Sequence, residues 1–404
     1  GAATALMGSV LRVTHGRAGA ATHVGRQLRF LLAQLGPTFV KVGQVVATRR
    51  DLMPTRICDE LEQLQAAAEP MSDRDRRRAL GQAYGEDLTR HFQRVDEVAV
   101  AAGSVACVYR AKARDGSELA LKLRRPGIDR AMRLDLRLVR AVAGLMARLP
   151  SFQGVPVVEV VDHACTAVYE QLDFGREADN LERLRVNLSV VPRVWVPKVA
   201  HELSRPTCIA MEFIPGLDVR AADHCTTAER RRLAAGALGA VYRMLFVNGF
   251  VHCDLHPGNL YFTANGHVVV LDAGFSVQLT ERLRILFLNF FMNMSANQGT
   301  RCAEIVLESA VGLTPRADVE AFKVAMADLV HRSSGLTARE FSLIAFAAEM
   351  FDIQRHHGVR AAPELVFPLL SLLVIEGTIR ELNPEVDFQK VAEPILLEGK
   401  FRVT

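Results

Sequence analysis

The sequence predicts an α+β fold of two lobes, with a small antiparallel-sheet N-lobe and a mainly helical C-lobe behind a helical N-terminal extension. Three observations predict it. Residues 98–123 alternate apolar and polar with a period of two and are broken twice by turn residues, which reads as strand, turn, strand, turn, strand. Everything after Phe275 carries the 3.6-residue apolar spacing of helices. Between these regions Asn265-Gly266, a strong hairpin signal, joins two strand-like runs, Leu260 to Phe262 and His267 to Leu271. The boundaries that follow are 1–97 for the extension, 98–211 for the N-lobe with inserted helices, and 212–404 for the C-lobe.

At 404 residues the chain can hold two or three domain-sized units. Its 49 Lys and Arg against 45 Asp and Glu leave a net charge of +4, too mild for a nucleic-acid binder. Cys58, Cys107, Cys165, Cys208, Cys225, Cys253 and Cys302 are scattered without C-x-x-C pairs. That argues for reduced thiols in the cytoplasm and against a disulfide framework or a zinc site. No apolar run reaches the ~18 residues of a membrane span. The nearest, Leu365 to Ile375, is interrupted by Pro368 and Ser371 and reads as a buried helix. The chain does not begin with Met and shows no signal peptide, so Gly1 reads as a processing boundary.

Residues 1–50 hold Arg12, Arg17, Arg26, Arg29, Lys41, Arg49 and Arg50 and no acid. A basic, apolar-striped helical segment of this kind can make peripheral contact with an anionic membrane, although a solvated helix face docked on a domain is the plainer reading. Within it, Lys41 and Gln44 stand at i and i+3 and share a helix face. Residues 54–93 read as polar helix, with a solvated charged run from Asp73 to Arg78.

The N-lobe strands begin at Val98. Ala101-Ala102-Gly103-Ser104-Val105 is a small-residue turn whose backbone N–H groups can approach phosphate oxygens, and Asp115-Gly116 turns the chain into a third strand carrying Lys122. Helices are expected from Ile128 to Leu149, apolar at Met132, Leu136, Val139 and Val142, and from Val157 to Val186. The second presents Glu170, Asp173 and Glu177 at the i, i+3, i+7 rhythm of one face, either as partners for Lys122 or as a solvated acidic stripe. Strands at Val194–Val199 and Thr207–Phe213 complete the small sheet. The latter runs through Met211, Glu212 and Phe213 into Pro215-Gly216, a crossing where main-chain groups can meet an adenine edge. Thr226 and Glu229 form a capping box for a helix that stops at Asn248-Gly249.

The loop that follows reads His252-Cys-Asp254-Leu-His256-Pro-Gly258-Asn259, and the hairpin ends on Asp272-Ala273-Gly274. Protein kinases place H-x-D-x-x-x-x-N and then D-F-G in this order, the first Asp handling the acceptor proton and the Asn and second Asp holding magnesium. The spacing therefore predicts a protein-kinase-like fold that binds ATP with Mg2+, with Asp254 as the catalytic acid position and Asn259 and Asp272 as metal ligands. Beyond it, helices are expected at Leu283–Met294, Cys302–Val311, Ala317–Val330, Thr337–Met350 and Pro363–Leu382. Phe287, Phe290, Phe291 and Met292 read as core, and His356-His357 lacks a third metal ligand nearby.

From about Leu35 to Leu397 the chain resembles the UbiB/AarF/ADCK atypical kinases. The resemblance rests on Lys41-Val42-Gly43-Gln44 as K-x-G-Q, on Ala101 to Ser104 as the alanine-rich loop, on Gln171-Leu172-Asp173 at the E-x-D position, on Glu177, and on the His252–Asn259 loop with Asp272. It implies that Lys122 binds the α- and β-phosphates with Glu177 as its partner. It also implies that the K-x-G-Q helices cover the acceptor side, with Lys41 and Gln44 turned toward the active site. The activity implied is ATP hydrolysis, or phosphoryl transfer to a small or lipid-like isoprenoid acceptor. The chain departs from the family pattern at Gln171, which removes a carboxylate partner for Lys41 unless Glu170 takes its place. It departs again at Gly103, which stands for the third alanine, and at Cys107, which stands for Gln. No counterpart of the C-terminal membrane spans of some bacterial members is expected.

Three readings stand at this point: an ATP-dependent atypical kinase or ATPase in isoprenoid-quinone or lipid metabolism; a nucleotide-dependent pseudokinase scaffold or lipid sensor; and a small-molecule phosphotransferase of the aminoglycoside- or choline-kinase type. The K-x-G-Q segment speaks against the third.

Overall fold

The computed structural model describes residues 22–48, 55–64, 69–148, 157–218, 221–255, 258–263, 265–334, 340–361 and 363–401. The expectations placed on Arg12, Arg17, Arg49, Arg50, His256 and Pro257, and on the start of a helix at Thr337, lie outside them. The chain divides into two compact units. One comprises Gly1–Ala79, Ala99–Val108 and Arg124–Leu172; the other comprises Leu80–Val98, Tyr109–Leu123 and Asp173–Thr404.

The first unit is helical. Helix α1 covers residues 22–35, and α2 (Pro37–Thr48) follows Gly36 at a φ of +111°, with proline at its first position where no N–H is needed. Helix α2 packs on α3 (Thr55–Leu61), α6 (Ile128–Met146) and α7 (Val157–Glu170). Val40, Ala47, Ile57, Leu61 and Leu64 form its core, with Leu28 and Leu32 against it. Gly43 is where the close approach is decided: a methyl there would sit 2.5 Å from Leu64 Cδ1 and 2.7 Å from Leu32 Cδ1. On α6 the buried positions are Met132, Leu136 and Ala143, whereas Val142 is exposed, so the apolar stripe drifts by one residue from the expected one.

The second unit carries a four-stranded sheet of order β1-β2-β3-β5, from β1 (Phe92–Ala102), β2 (Ala106–Ala113), β3 (Glu118–Arg124) and β5 (Cys208–Glu212). The tip of the β1–β2 hairpin belongs to the first unit. After α4 (Asp73–Tyr84) and the short α5 (Leu88–His91), β1 starts at Phe92 and not at Val98. Its first half has no alternation to read, because only Phe92 is buried there. Strands β3 and β5 are antiparallel, with Lys122 opposite Ile209.

Two expectations are corrected here. The single helix from Val157 to Val186 is two, because the chain breaks at Gln171–Asp173 and Asp173 caps α8 (Phe174–Leu188) by accepting from Arg176 N at 3.0 Å. Glu170, Asp173 and Glu177 therefore share no face. The strand expected at Val194–Val199 shortens to β4 (Val194–Trp195), which pairs in parallel with β8 (Val268–Val270) instead of joining the small sheet. Its far end keeps one link to the small sheet, an antiparallel bridge of Val199 with Met211 on β5 made by Glu212 N to Lys198 O and Ala200 N to Ala210 O, both 2.8 Å.

The remainder of the unit is helical, as its periodicity predicts. Helix α9 (Thr227–Tyr242) opens with the reciprocal Thr226–Glu229 capping box and ends in a π-helical turn, Arg243–Asn248, stopped by Gly249 at a φ of +62°. Strand β6 (Phe250–His252) pairs with β9 (Ser276–Gln278), and β7 (Leu260–Phe262) with β8. Helices α10 (Glu281–Ser295), α11 (Gly299–Ser309), α12 (Val319–Ser333), α13 (Leu343–His356), α14 (Pro363–Leu382) and α15 (Phe388–Phe401) follow, with a small unexpected pair, β10 (Gly312–Leu313) and β11 (Val359–Arg360). Phe287, Phe290 and Phe291 are buried core, and Phe246 packs on Phe287 and Phe291 at centroid distances of 6.0 and 5.1 Å. Met292 is only half-buried, and Met294 takes the inner position. Leu369, Leu372 and Ile375 are buried on α14, and among the described residues no helix is long and apolar enough to cross a membrane.

Candidate active site

Lys122 stands in the middle of β3, and its ammonium donates to Glu177 Oε1 at 2.5 Å and to Asp272 Oδ2 at 2.9 Å. Glu177 reaches it from the first turn of α8, which the Asp173 cap positions. The Phe174 ring lies 5.5 Å from the same ammonium. Lys122 and Glu177 are 12% and 2% exposed, so this pair works in a poorly solvated setting. Burial pulls the Lys122 pKa down, but Asp272 and Glu177 outweigh it and the net direction is up. Burial pushes the Glu177 carboxyl up and Asp272 adds to that push, with Lys122 opposing.

The hairpin brings the other groups together. Asn265-Gly266 turns with Gly266 at a φ of +74°, the register sets Leu260 opposite Val270, and Leu271 N donates to Asn259 O at 2.8 Å. Asn259 is buried and donates its amide to Asp254 O at 2.8 Å and, more weakly, to Asp254 Oδ2 at 3.4 Å. His252 is fully buried; its Nε2 meets Leu271 O at 3.1 Å and its Nδ1 accepts from Asp254 N at 3.1 Å. The ring is thus a neutral Nε2–H tautomer, and burial holds its pKa below 6.5 against the pull of Asp254. It locks the start of the loop to the end of the hairpin.

Asp272 is half-exposed and adopts a φ of +53°, in the left-handed region. Its Oδ1 accepts from Gly274 N at 3.2 Å, and a methyl on Gly274 would lie 3.2 Å from that oxygen and 3.6 Å from Glu177 Oε2. Asn259 and Asp272 offer amide and carboxylate oxygens, a donor set that suits a hard divalent cation whose remaining ligands are phosphate oxygens and water. Among the described residues no cluster of three or more His, Cys, Asp or Glu forms a metal cage.

The crossing at Met211–Phe213 is less open than its sequence suggests. Glu212 N donates to Lys198 O and Phe213 N to Glu118 O at 3.2 Å, so both of these donors are used within the fold. Met211 is buried on β5, and the Glu212 carboxylate accepts from Trp195 Nε1 at 3.2 Å.

Within the first unit, the Ala101–Val105 turn is closed by Gly103 N donating to Ala106 O at 2.8 Å. Arg125 fastens it, with its backbone N on Val105 O and its Nε on Gly103 O, both 2.9 Å. Lys41 on α2 donates to Gln171 Oε1 at 2.6 Å, and Gln44 donates to Leu64 O at 2.9 Å. Gln171 thus fills the partner position itself, with no shift to Glu170.

Three contributors escaped the sequence reading. Asn180 Nδ2 and Ser276 Oγ both donate to Ala273 O, at 3.0 and 3.1 Å, and fix the peptide beside Asp272. Asn180 lies three residues after Glu177 on one helix, a spacing that puts both on one face and would have flagged it. Nothing local marks Arg125 as a clamp.

Comparison with known proteins agrees with this geometry. An ABC1 atypical kinase-like domain matches residues 63–306 and a UbiB helical domain matches residues 326–387. A probable protein kinase UbiB of Xylella fastidiosa is 29% identical over 382 residues, covering 92% of this chain and 69% of that one. The corresponding protein of Aeromonas hydrophila is 30% identical over 380 residues, covering 92% and 69%. A solved structure of Rv3197 from Mycobacterium tuberculosis, described as a complex with erythromycin, superposes with a TM-score of 0.63 at 21% identity over 92% of this chain and 95% of that one, which supports the protein-kinase-like fold. With a kinase-type lysine, carboxylate and hairpin arrangement in place and both family domains matched along its length, the chain belongs to the UbiB family of ABC1 atypical kinases.

Proposed function

We propose that the chain binds Mg-ATP at Lys122, Glu177, Asp254, Asn259 and Asp272 and uses it for hydrolysis or for phosphoryl transfer to a small, lipid-like acceptor in isoprenoid-quinone metabolism. The observation that carries the reading is the Lys122 ammonium held at once by Glu177 and Asp272. A lysine fixed by a buried glutamate is an oriented cation for the α- and β-phosphates. Asn259 and Asp272 would hold the metal, and bound magnesium would neutralise charge on the phosphates. Asp254, whose backbone bonds to His252 and Asn259, would take a proton from an acceptor hydroxyl or from water. By motif, the Ala101–Val105 turn is assigned to the phosphates and Met211–Phe213 to the adenine. The quinone assignment rests on the relatives named UbiB.

The test is a thermal shift of the purified chain with ATP, with and without Mg2+. ATP with Mg2+ raises Tm, and Asp272→Asn abolishes the magnesium-dependent part while keeping the fold, because Asn also tolerates a positive φ. A shift that survives in Asp272→Asn removes the assignment.

A further inference from the structure

In protein kinases the middle residue of D-F-G is a phenylalanine whose packing sets whether the site is assembled. Here that residue is Ala273, fully buried and with only a methyl to pack. The turn that carries Asp272 is held from another direction. Asn180 on α8 donates Nδ2 to Ala273 O at 3.0 Å, a bond to the main chain that makes no demand on the side chain at 273. Asn180 follows Glu177 by three residues, so one helix face carries both. Arg183, three residues further, donates to Gln278 Oε1 and holds its guanidinium 4.2 Å from the centroid of the Phe250 ring. Gln278 Nε2 passes the link on by donating to Gly249 O at 3.0 Å, at the start of the strand that leads to Asp254.

Glu177, Asn180 and Arg183 thus bring one face of α8 onto three separate parts of the candidate site: Lys122, the Asp272 turn and the entrance to the Asp254 loop. The middle contact is the one that reaches the metal-binding turn. We propose that Asn180 is a positioning residue for magnesium: its amide takes the place of the absent phenylalanine ring and ties Asp272 to the helix that holds Lys122. A rigid helix then sets the phosphate-binding cation and the metal-binding carboxylate together. Ser276 is not equivalent. Its hydroxyl donates to the same Ala273 O at 3.1 Å, but from within the segment that follows the turn, so it satisfies the carbonyl without attaching it to α8. The inference rests on the reading of Asn259 and Asp272 as magnesium ligands, while the attachment itself can be measured with no ligand present.

The experiment uses the full chain as wild type, Asn180→Leu and Ser276→Ala. Leucine keeps the branched shape of asparagine and has no side-chain N–H to give. Hydrogen exchange of the 272–276 amides, measured without nucleotide, is about fivefold faster in Asn180→Leu and within about twofold of the wild type in Ser276→Ala. With ATP held constant, the magnesium concentration at half of the Tm shift rises about fivefold in Asn180→Leu and stays within about twofold in Ser276→Ala, whereas the magnesium-free ATP shift is the same in all three. A purely structural loss lowers Tm without moving that midpoint. Unchanged exchange or an unchanged midpoint in Asn180→Leu, or equal effects in Ser276→Ala, would each overturn the proposal. A wild type with no magnesium-dependent shift would overturn the magnesium reading and this role with it, and the exchange rates would then show Asn180 as a structural tie alone. Should Asn180→Leu fail to fold, Asn180→Ala carries the same expectations.

Discussion

Lys122 and Glu177 meet at 2.5 Å across 55 residues of sequence, and Asp272 closes on the same ammonium from the far end of a hairpin. One cation therefore faces two carboxylates. Lys122→Met would leave Glu177 and Asp272 facing each other without it, and the expected loss in unfolding free energy is about 3 kcal/mol or more. Glu177→Gln keeps an acceptor for Lys122 and costs less. The double variant costs less than the sum of the singles, because the second change relieves what the first exposed. Urea unfolding of the four proteins checks the order; strict additivity would show that the pair is not coupled.

The buried imidazole of His252 gives the stability a pH dependence. Its folded pKa lies below 6.5, so the folded state resists a proton that the unfolded chain accepts. Its contribution is fully present above 6.5 and is lost as pH falls below that value, at up to about 1.4 kcal/mol per pH unit. His252→Asn is less stable than the wild type at pH 7.5, and the gap narrows by pH 5.5. A gap independent of pH would mean that His252 is not held neutral.

Gln171 answers Lys41 with a neutral oxygen at 2.6 Å. Replacing it by glutamate adds a second charge and turns the contact into an ion pair, for which the expected gain is about 1 kcal/mol. Denaturant midpoints of the wild type and Gln171→Glu measure this, with Lys41→Met/Gln171→Glu as the background in which the gain disappears.

The thiols sort by burial. Cys58, Cys107, Cys165, Cys208, Cys253 and Cys302 are buried, whereas Cys225 is only half-buried. Burial pushes the Cys165 thiol up to about 11 and Cys208 and Cys302 up to about 12, which keeps them from forming thiolate at neutral pH. Iodoacetamide at pH 8 therefore modifies Cys225 first in the native chain, and the other six only after unfolding, as read by peptide mass spectrometry.

What the sequence makes legible here is local chemistry. Asn265-Gly266 dictates its own turn, Thr226 and Glu229 their own cap, and the spacing from Asp254 to Asn259 to Asp272 follows once the hairpin forms. Pairings chosen between distant segments are not legible in the same way. Val194 and Trp195 look like any short strand, and only the presence of β8 draws them out of the small sheet. The break at Gln171–Asp173 hides because apolar positions continue through it from Val168 to Phe174, and the signal that does exist, an Asp two residues before a Gly, is easily read as part of an acidic stripe. Arg125 is invisible for a different reason: its task is to bond carbonyls, and backbone acceptors leave no trace in a sequence.

The φ of +53° at Asp272 separates two demands that usually arrive together. For the backbone alone, Gly would serve best and Asn as well as Asp, since the left-handed region tolerates all three. The turn itself asks for no negative charge; the Lys122 ammonium, 2.9 Å from Oδ2, does. A drift to Asn would therefore keep the backbone conformation but give up the ion pair with Lys122, while a drift to Val or Ile would be opposed on steric grounds as well. The carboxylate at this one residue thus answers the lysine on β3 and not the turn that carries it.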